Sequence, residues 1–576
     1  MKRVFLLILT IISLSLPTHA QFHINGLTVV NDSRTGTFLC SVPDSVFDTN
    51  FQAKITLDKD WDEIILGGEM HINGDIMEFG TIEGGKQWTV KLVGDSTIHG
   101  TLTFTSLPIL ELEGTFGYEY APGPVRLLMP GEITSQWLTA KLKWRGGTTN
   151  TDGKHKRNFH IKFIDEQGLK QDQSFFGLRE DNSWILDAGQ VDMGRVRNRV
   201  ATELWLDMAQ KPYYIGSEKK ALSGVRGEMV EVMLNGSYNG IYAFTEALDR
   251  KQVKIKKYKE DSIGTTVRGQ LWKAVSWSRS VNMFTPASYN NNLDTWDGFE
   301  LKYPELEEVS PTDWSVLYNA AKWLSNSSIS SFNEHAAEYF DMPVYIDYII
   351  FTDVLNAIDN LAKNQYWFCY DRTDNKRLSI AVWDLDTTVG QNWTDDPLHP
   401  ETVSPTRPVL HNTHALTYKA TNPNSIYYPI LQKRYNELRH TWLHADSLKQ
   451  RYARRINVLI ASGAAAREEQ RWSGDTDIAR NQLNFAAELE YIFQWIDKRM
   501  DYLDQNAYER LIQGDVNNDG EVGVSDVTAL VSILMDHSPQ TPMQLLRADV
   551  NNDGEVGVSD ITSLTHIILT QNNDEP

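Results

Sequence analysis

The chain has 576 residues, more than one hydrophobic core normally serves. Its 41% hydrophobic and 23% charged content is that of folded domains, so two to four of them are expected and wholesale disorder is excluded. A formal charge of −21 argues against general nucleic-acid binding, which needs a basic surface, and the two cysteines, Cys40 and Cys369, exclude a disulfide framework. Both are expected as small buried apolar residues.

The N-terminus reads as a bacterial export signal. Lys2 and Arg3 precede an apolar run from Val4 to Leu16, and Pro17-Thr18-His19-Ala20 supplies a small-residue cleavage site. Residues 1–20 are thus expected to be removed after Ala20, giving a secreted or periplasmic protein. No later apolar run is long enough for a membrane span.

Residues 21–106 alternate apolar and polar positions between Gly-rich turns such as Gly67-Gly68, Asn73-Gly74 and Gly84-Gly85. That pattern predicts a small antiparallel, sandwich-like β domain of accessory character. Residues 107–505 mix periods. Strands are expected at 141–144, 159–163, 230–234, 241–245, 365–370 and 378–383, and helices at 195–209, 314–325 and 483–503, which together indicate an α+β domain.

Within this region 141–162 carries seven Lys or Arg residues and one acid, around Arg145-Gly146-Gly147-Thr148-Thr149 and Lys154-His155-Lys156-Arg157. A Gly-Gly turn flanked by cations can present backbone N–H groups and charge to phosphate. Asp359 and Asn364 lie five apart, the spacing with which kinases orient an attacking hydroxyl and hold Mg²⁺. Asp384 and Asp386, two apart in an extended segment, face the same way and can reach one cation. Lys273 sits among apolar residues, where it could reach phosphate. His399, His411 and His414 fall in a polar, Pro-containing stretch without helical pairing and are not expected to bind metal.

The C-terminal end, 514–572, is a tandem repeat with a period of 34 residues. Its first loop places Asp515, Asn517, Asp519, Gly520 and Asp526 at positions 1, 3, 5, 6 and 12; the second places Asp549, Asn551, Asp553, Gly554 and Asp560 there. Alternate oxygens converge on one Ca²⁺ while Gly permits the sharp turn, and Glu521 and Glu555 stand at position 7, where the main-chain carbonyl is the usual ligand. Two Ca²⁺ are expected. Apolar stripes, Val527, Leu530, Val531 and Leu534 in one helix and Ile561, Leu564, Ile567 and Ile568 in the other, are expected to pack as an all-α core.

Two resemblances follow. The repeat resembles the type I dockerin family, which implies a cohesin-like partner on a scaffold, read in part by positions 10 and 11, here Val524-Ser525 and Val558-Ser559. The middle region resembles the CotH family of spore-coat-type kinases. The stretches that carry this likeness are Arg145 to Thr149; Trp184-Ile185-Leu186 with Asp192, Arg197 and Asn198; Val232 to Tyr242 with Glu246; Lys273; Glu300 to Pro304; Asp359 to Asn364; and Trp383 to Asp386. The family implies an atypical kinase-like α+β fold that uses ATP with Mg²⁺ or Mn²⁺ to phosphorylate Ser/Thr hydroxyls of a protein acceptor. By resemblance Asp359 is the catalytic Asp, Asn364 and Asp384 hold the metal, and Asp386 is a second acid. Arg145, Lys156, Lys273 and Glu246 are nominated for cofactor binding, through phosphate contact and lysine positioning. The competing expectation is a catalytically silent structural or glycan-associated component whose dockerin does the work.

Overall fold

The computed structural model describes residues 21–147, 150–262, 264–392, 403–475, 483–509, 511–536 and 540–571. The expected leader, Thr148, Thr149 and His399 lie outside the described residues. The chain is mixed α/β, β-rich at its N-terminal end and helical at its C-terminal end. It forms two compact units. One comprises the chain up to Leu142 with Met229–Ile241 and Val458–Arg471; the other comprises Lys143–Glu228, Tyr242–Asn457 and the chain from Trp472 onward. The first therefore runs past residue 106 and gathers two later segments, because Ile109–Leu112 pairs in parallel with Gly227–Leu234.

In the first unit nine strands form one sheet. The order is Glu69–Ile72, Trp61–Leu66, Trp88–Gly94, Thr97–Thr105, Thr37–Ser41, Leu27–Asp32, Phe22–Ile24, Asn50–Leu57 and Ile76–Thr81. The alternation visible in the sequence sends Phe51, Ala53, Ile55 and Leu57 to one core and their neighbours outward. Both ends of the strand order share that core: Phe79 meets Trp88 edge-on at 5.5 Å. The all-antiparallel expectation fails at one place. Thr37–Ser41 and Thr97–Thr105 are parallel, since the long excursion between them returns the chain in the same direction. Gly84 permits a close approach, as a Cβ there would lie 2.2 Å from the carbonyl oxygen of Ala461. Cys40 and Cys369 are free and buried, as expected.

In the second unit an antiparallel sheet runs Thr295–Trp296, Phe299–Tyr303, Gln270–Ala274, Gln365–Cys369, Leu378–Val382. Helix Met342–Leu355 is apolar on nearly every side and is buried accordingly. It ends where Asn356 turns left-handed at φ 48°, which delivers the short 3₁₀ turn Ile358–Asn360 to the end of the sheet. The expected helices are present as Arg197–Met208, Ser315–Asn326 and Phe485–Asn506.

The tail helices Val524–Met535 and Val558–Gln571 pack through Leu530 and Leu564, with Val527, Ala529, Ile533 and Leu534 closing one side and Ile561, Ile567 and Ile568 the other. Val531 is the exception to the expected stripe. It is exposed, because Ala529 and Ile533 fill the contact instead. This module is braced against helix Tyr427–Arg439: Lys433 donates to Asn552 Oδ1 at 2.9 Å, and Arg547 pairs with Glu509, whose backbone N–H donates to Gln432.

Candidate active site

The register of three strands builds the site. Ala274 pairs with Gln365, and Gln365 with Val382. One sheet end therefore gathers what lies just beyond these residues: Lys273 on the first strand, Asn364 before the second and Asp384 after the third. The Asn364 N–H donates to Ala274 O at 2.9 Å, and the Asn360 amide nitrogen donates to Trp383 O at 2.7 Å, joining the Asp359 turn to the Asp384 segment. Asn364 and Asp384 both have positive φ, 52° and 59°, the left-handed region that short polar side chains tolerate best.

These residues line a cleft of about 410 Å³. Asp359 accepts from the Asn364 amide nitrogen at 2.8 Å and pairs with Lys363 at 3.0 Å. A carboxylate only accepts, so the amide nitrogen of Asn364 is fixed toward it and the amide oxygen remains as an acceptor. Asp384 is exposed to the cleft while the rest of its surroundings is protein. That low-dielectric floor raises its pKa; Lys273 opposes the rise, and the negative charges of Asp187 and Asp359 add to it. Asp386 is pushed up further, by burial and then by Asp384 and Asp187. Burial brings Lys273 down to about 8, a fall that Asp384 resists and Arg145 and Lys302 reinforce. The Lys273 ammonium lies 5.8 Å from the ring centres of Tyr366 and Trp383, and the Arg145 guanidinium 5.2 Å from that of Trp383.

Four further cleft residues, and Asn198 beside them, were not singled out for this chemistry by sequence. Asp187 lies at the end of strand Ser183–Asp187 and accepts from the Asn198 amide at 2.7 Å. Asn198 in turn accepts from the Leu385 N–H at 3.2 Å, so it ties Asp187 to the Asp384–Asp386 segment. Lys363, Glu300 and Lys302 complete the set, the last two paired at 2.6 Å. Lys363 was legible in principle, four residues after Asp359; Asp187 carried no local signal. Behind the cleft, buried Arg197 pairs with Asp192 at 2.6 Å and Glu488 at 2.5 Å and donates to the carbonyls of Thr388 and Val389, clamping the loop after Asp386.

Two nominated residues sit elsewhere. Lys156 is fully buried over the Tyr242 ring at 4.7 Å and does not line the cleft. Glu246 does not meet Lys273. It accepts from the Arg179 and Arg226 N–H groups, the Arg226 guanidinium and Gln252; against the upward push of burial, these donors hold its carboxyl below the usual range. His411 donates from Nε2 to Asp353 at 2.7 Å, and His414, held down to about 3 by burial, contacts Tyr345 and the Leu416 N–H, so neither is arranged as a metal ligand.

The tail loops repeat one another bond for bond. Asp515 accepts from the N–H groups of Asp519 and Gly520, and Asp526 from those of Asn517 and Gly523, at 2.9–3.1 Å. Asp549 and Asp560 do the same with Asp553, Gly554, Asn551 and Gly557 at 2.8–3.0 Å. Asn518 and Asn552 at φ 62° and 59°, with Gly520 and Gly554 at 90° and 89°, make the tight curl. Glu521 and Glu555 extend outward and are exposed, consistent with a main-chain role at position 7. Among the described residues no three His, Cys, Asp or Glu side chains converge as an all-acid metal cage. Both the cleft and the loops instead mix carboxylates with amide oxygens, a donor set suited to hard divalent cations.

A family model described as dockerin type I domain matches residues 513–569, a domain type that implies calcium binding and cohesin partners. No curated protein matches the chain. The model described as CotH kinase protein matches residues 142–503, well over half of the chain, and contains the whole cleft; the chain belongs to the CotH kinase family.

Proposed function

We propose that the cleft transfers the γ-phosphoryl group of ATP to Ser/Thr hydroxyls of a protein acceptor, and that the dockerin tethers this activity to a cohesin-bearing scaffold outside the cytoplasm. The observation that carries the reading is the convergence of Lys273, Asp359 with Asn364, and Asp384 at one sheet end. Asp187, Asp384 and Asp386 line the cleft with Lys273 and Arg145, which rest against aromatic rings, so a divalent cation with its phosphates fits the charge of the site.

In this reading bound ATP supplies the phosphoryl group, and Mg²⁺ or Mn²⁺ neutralises its charge. Asp359 orients the acceptor hydroxyl and takes its proton as the new O–P bond forms and the bond to the ADP leaving group breaks. Asn364 Oδ1 and Asp384 would hold the cation, with Asp386 and Asp187 close by. Lys273 and Arg145 would contact phosphate, and Lys363, paired with Asp359 at 3.0 Å, holds it in place. The leader over 1–20 accounts for export. No helix among the described residues is long and apolar enough to cross a membrane.

The test is to incubate the full-length protein and its Asp359→Asn variant with ATP and either cation. Nucleotide binding is read by calorimetry, and phosphate on the protein and on added acceptor proteins by mass spectrometry. Cation-dependent phosphate incorporation, lost in the variant, is the expected result. No ATP binding with either cation would refute the reading.

A further inference from the structure

Asp359 is capped where it has to work. Its Oδ1 takes the Lys363 ammonium at 3.2 Å, and its Oδ2 takes the same ammonium at 3.0 Å and the Asn364 amide nitrogen at 2.8 Å. An acceptor hydroxyl must come within hydrogen-bond reach of one of these oxygens before its proton can move. One donor therefore has to give way as the acceptor arrives.

The two donors differ in freedom. Asn364 is 3% exposed, and its N–H is tied to the carbonyl of Ala274 at 2.9 Å. Asn360 fixes the turn around it by donating to the Trp383 carbonyl at 2.7 Å. The Lys363 side chain is 29% exposed and makes no ion pair but this one among the described residues. Its charge sits on a flexible four-carbon stem, so it is the donor that can leave. It also lines the cleft beside Lys273 and Arg145. In an in-line transfer the phosphorus lies about 3–3.5 Å beyond the acceptor oxygen. An ammonium resting 3.0 Å from Asp359 is thus within one side-chain swing of the phosphoryl oxygens.

We infer that Lys363 is a catalytic residue with two stations: the Asp359 carboxylate in the structure as it stands, and the γ-phosphoryl oxygens once ATP is bound. The inference rests on the phosphoryl-transfer reading of the cleft and names what primes it. ATP draws the ammonium away, which bares Asp359 Oδ1 for the acceptor hydroxyl. The hydroxyl proton passes to Asp359 as the new O–P bond forms and the bond to ADP breaks; Lys363 neither gives nor takes a proton. Nucleotide therefore precedes acceptor, and ADP, which has no γ-phosphoryl group, leaves the carboxylate capped.

The experiment titrates the full-length protein, with Mg²⁺ or Mn²⁺ present, with ADP and with β,γ-imido-ATP, which keeps the γ-phosphoryl group but resists its transfer. Calorimetry reads both. Lys363→Gln keeps a donor toward Asp359 and loses the charge; Lys363→Arg keeps donor and charge. The unaltered protein should prefer the imido nucleotide to ADP by about tenfold or more, the worth of one charged hydrogen bond. The glutamine variant should lose that preference, with ADP affinity changed less than about twofold, and the arginine variant should recover most of it. A lysine that only holds Asp359 in place leaves both affinities unmoved in either variant. No preference in the unaltered protein, an equal loss for both nucleotides in the glutamine variant, or no loss for the imido nucleotide would overturn the inference and leave the phosphoryl-transfer reading standing. Failure of the unaltered protein to bind either nucleotide would overturn both.

Discussion

Replacing Arg197 by Met tests the clamp behind the cleft without assuming any activity. Arg197 is fully buried. The substitution takes the cation away from Asp192 and Glu488, themselves almost fully buried, and removes the guanidinium donors from the carbonyl of Val389. Val389 is β-branched at φ 48°, a strained conformation costing about 1–3 kcal/mol that persists only while its surroundings enforce it. Breaking a buried ion pair by removing one partner costs about 3–5 kcal/mol. In a body of this size that amounts to a fall of about 4–6 °C in the main calorimetric transition. The stranded carboxyls should then have raised pKa values in the folded variant. The deficit is thus greatest above those values and shrinks as pH falls through them, since protonation removes the buried charge. Adding Asp192→Asn and Glu488→Gln should restore much of the loss. Scanning calorimetry of the full chain at several pH values is the assay. A shift under 2 °C, or a deficit that neither low pH nor the added substitutions relieve, would refute the reasoning.

Asp359→Asn and Asp384→Asn should each reduce phosphoryl transfer about 10²–10⁴-fold with the fold intact; only the second should also weaken cation-dependent ATP binding, and wild-type rates in either would remove that residue from the mechanism. Nucleotide affinity should fall as pH rises through about 8, because Lys273 loses its proton there and with it its attraction for phosphate; Lys273→Met should lower affinity and flatten the profile, whereas a wild-type profile flat from pH 7 to 9 would speak against phosphate contact. The tail should bind two Ca²⁺ by calorimetry, with Asp515→Ala or Asp549→Ala removing one each, and a chelator should raise amide exchange across both tail helices. Val524 and Val558 are both 74% exposed, so altering Val524 and Ser525 alone should leave cohesin affinity nearly unchanged while altering Val558 and Ser559 as well abolishes it; loss on the first change would rule out two equivalent faces.

Periodic signals were legible where one face of an element is buried. The apolar spacing of 485–503 became helix Phe485–Asn506; the strand expected at 365–370 is Gln365–Cys369, buried at every position. The Asp359–Asn364 spacing was legible because both residues belong to one local turn. Asp187 was not, since it reaches the cleft only through Asn198 and a loop almost two hundred residues downstream. Lys156 misled because a count of charges along 141–162 is blind to side-chain direction, which turns this lysine onto Tyr242. Glu246 misled for a related reason: its order in the chain resembles a lysine-positioning acid, but Arg226 and Arg179 lie nearer to it than Lys273 does in the network it joins.

The brace between the tail and helix Tyr427–Arg439 has a consequence for assembly. Lys433 grips the second calcium loop at Asn552, and Arg547 grips Glu509 at the start of the connection, so the module is held to the body it serves rather than trailing on a loose tether. Should the predicted equivalence of the two faces hold, a half turn of the module in its socket would swing the attached body with it, and one attachment point would present the cleft in either of two directions.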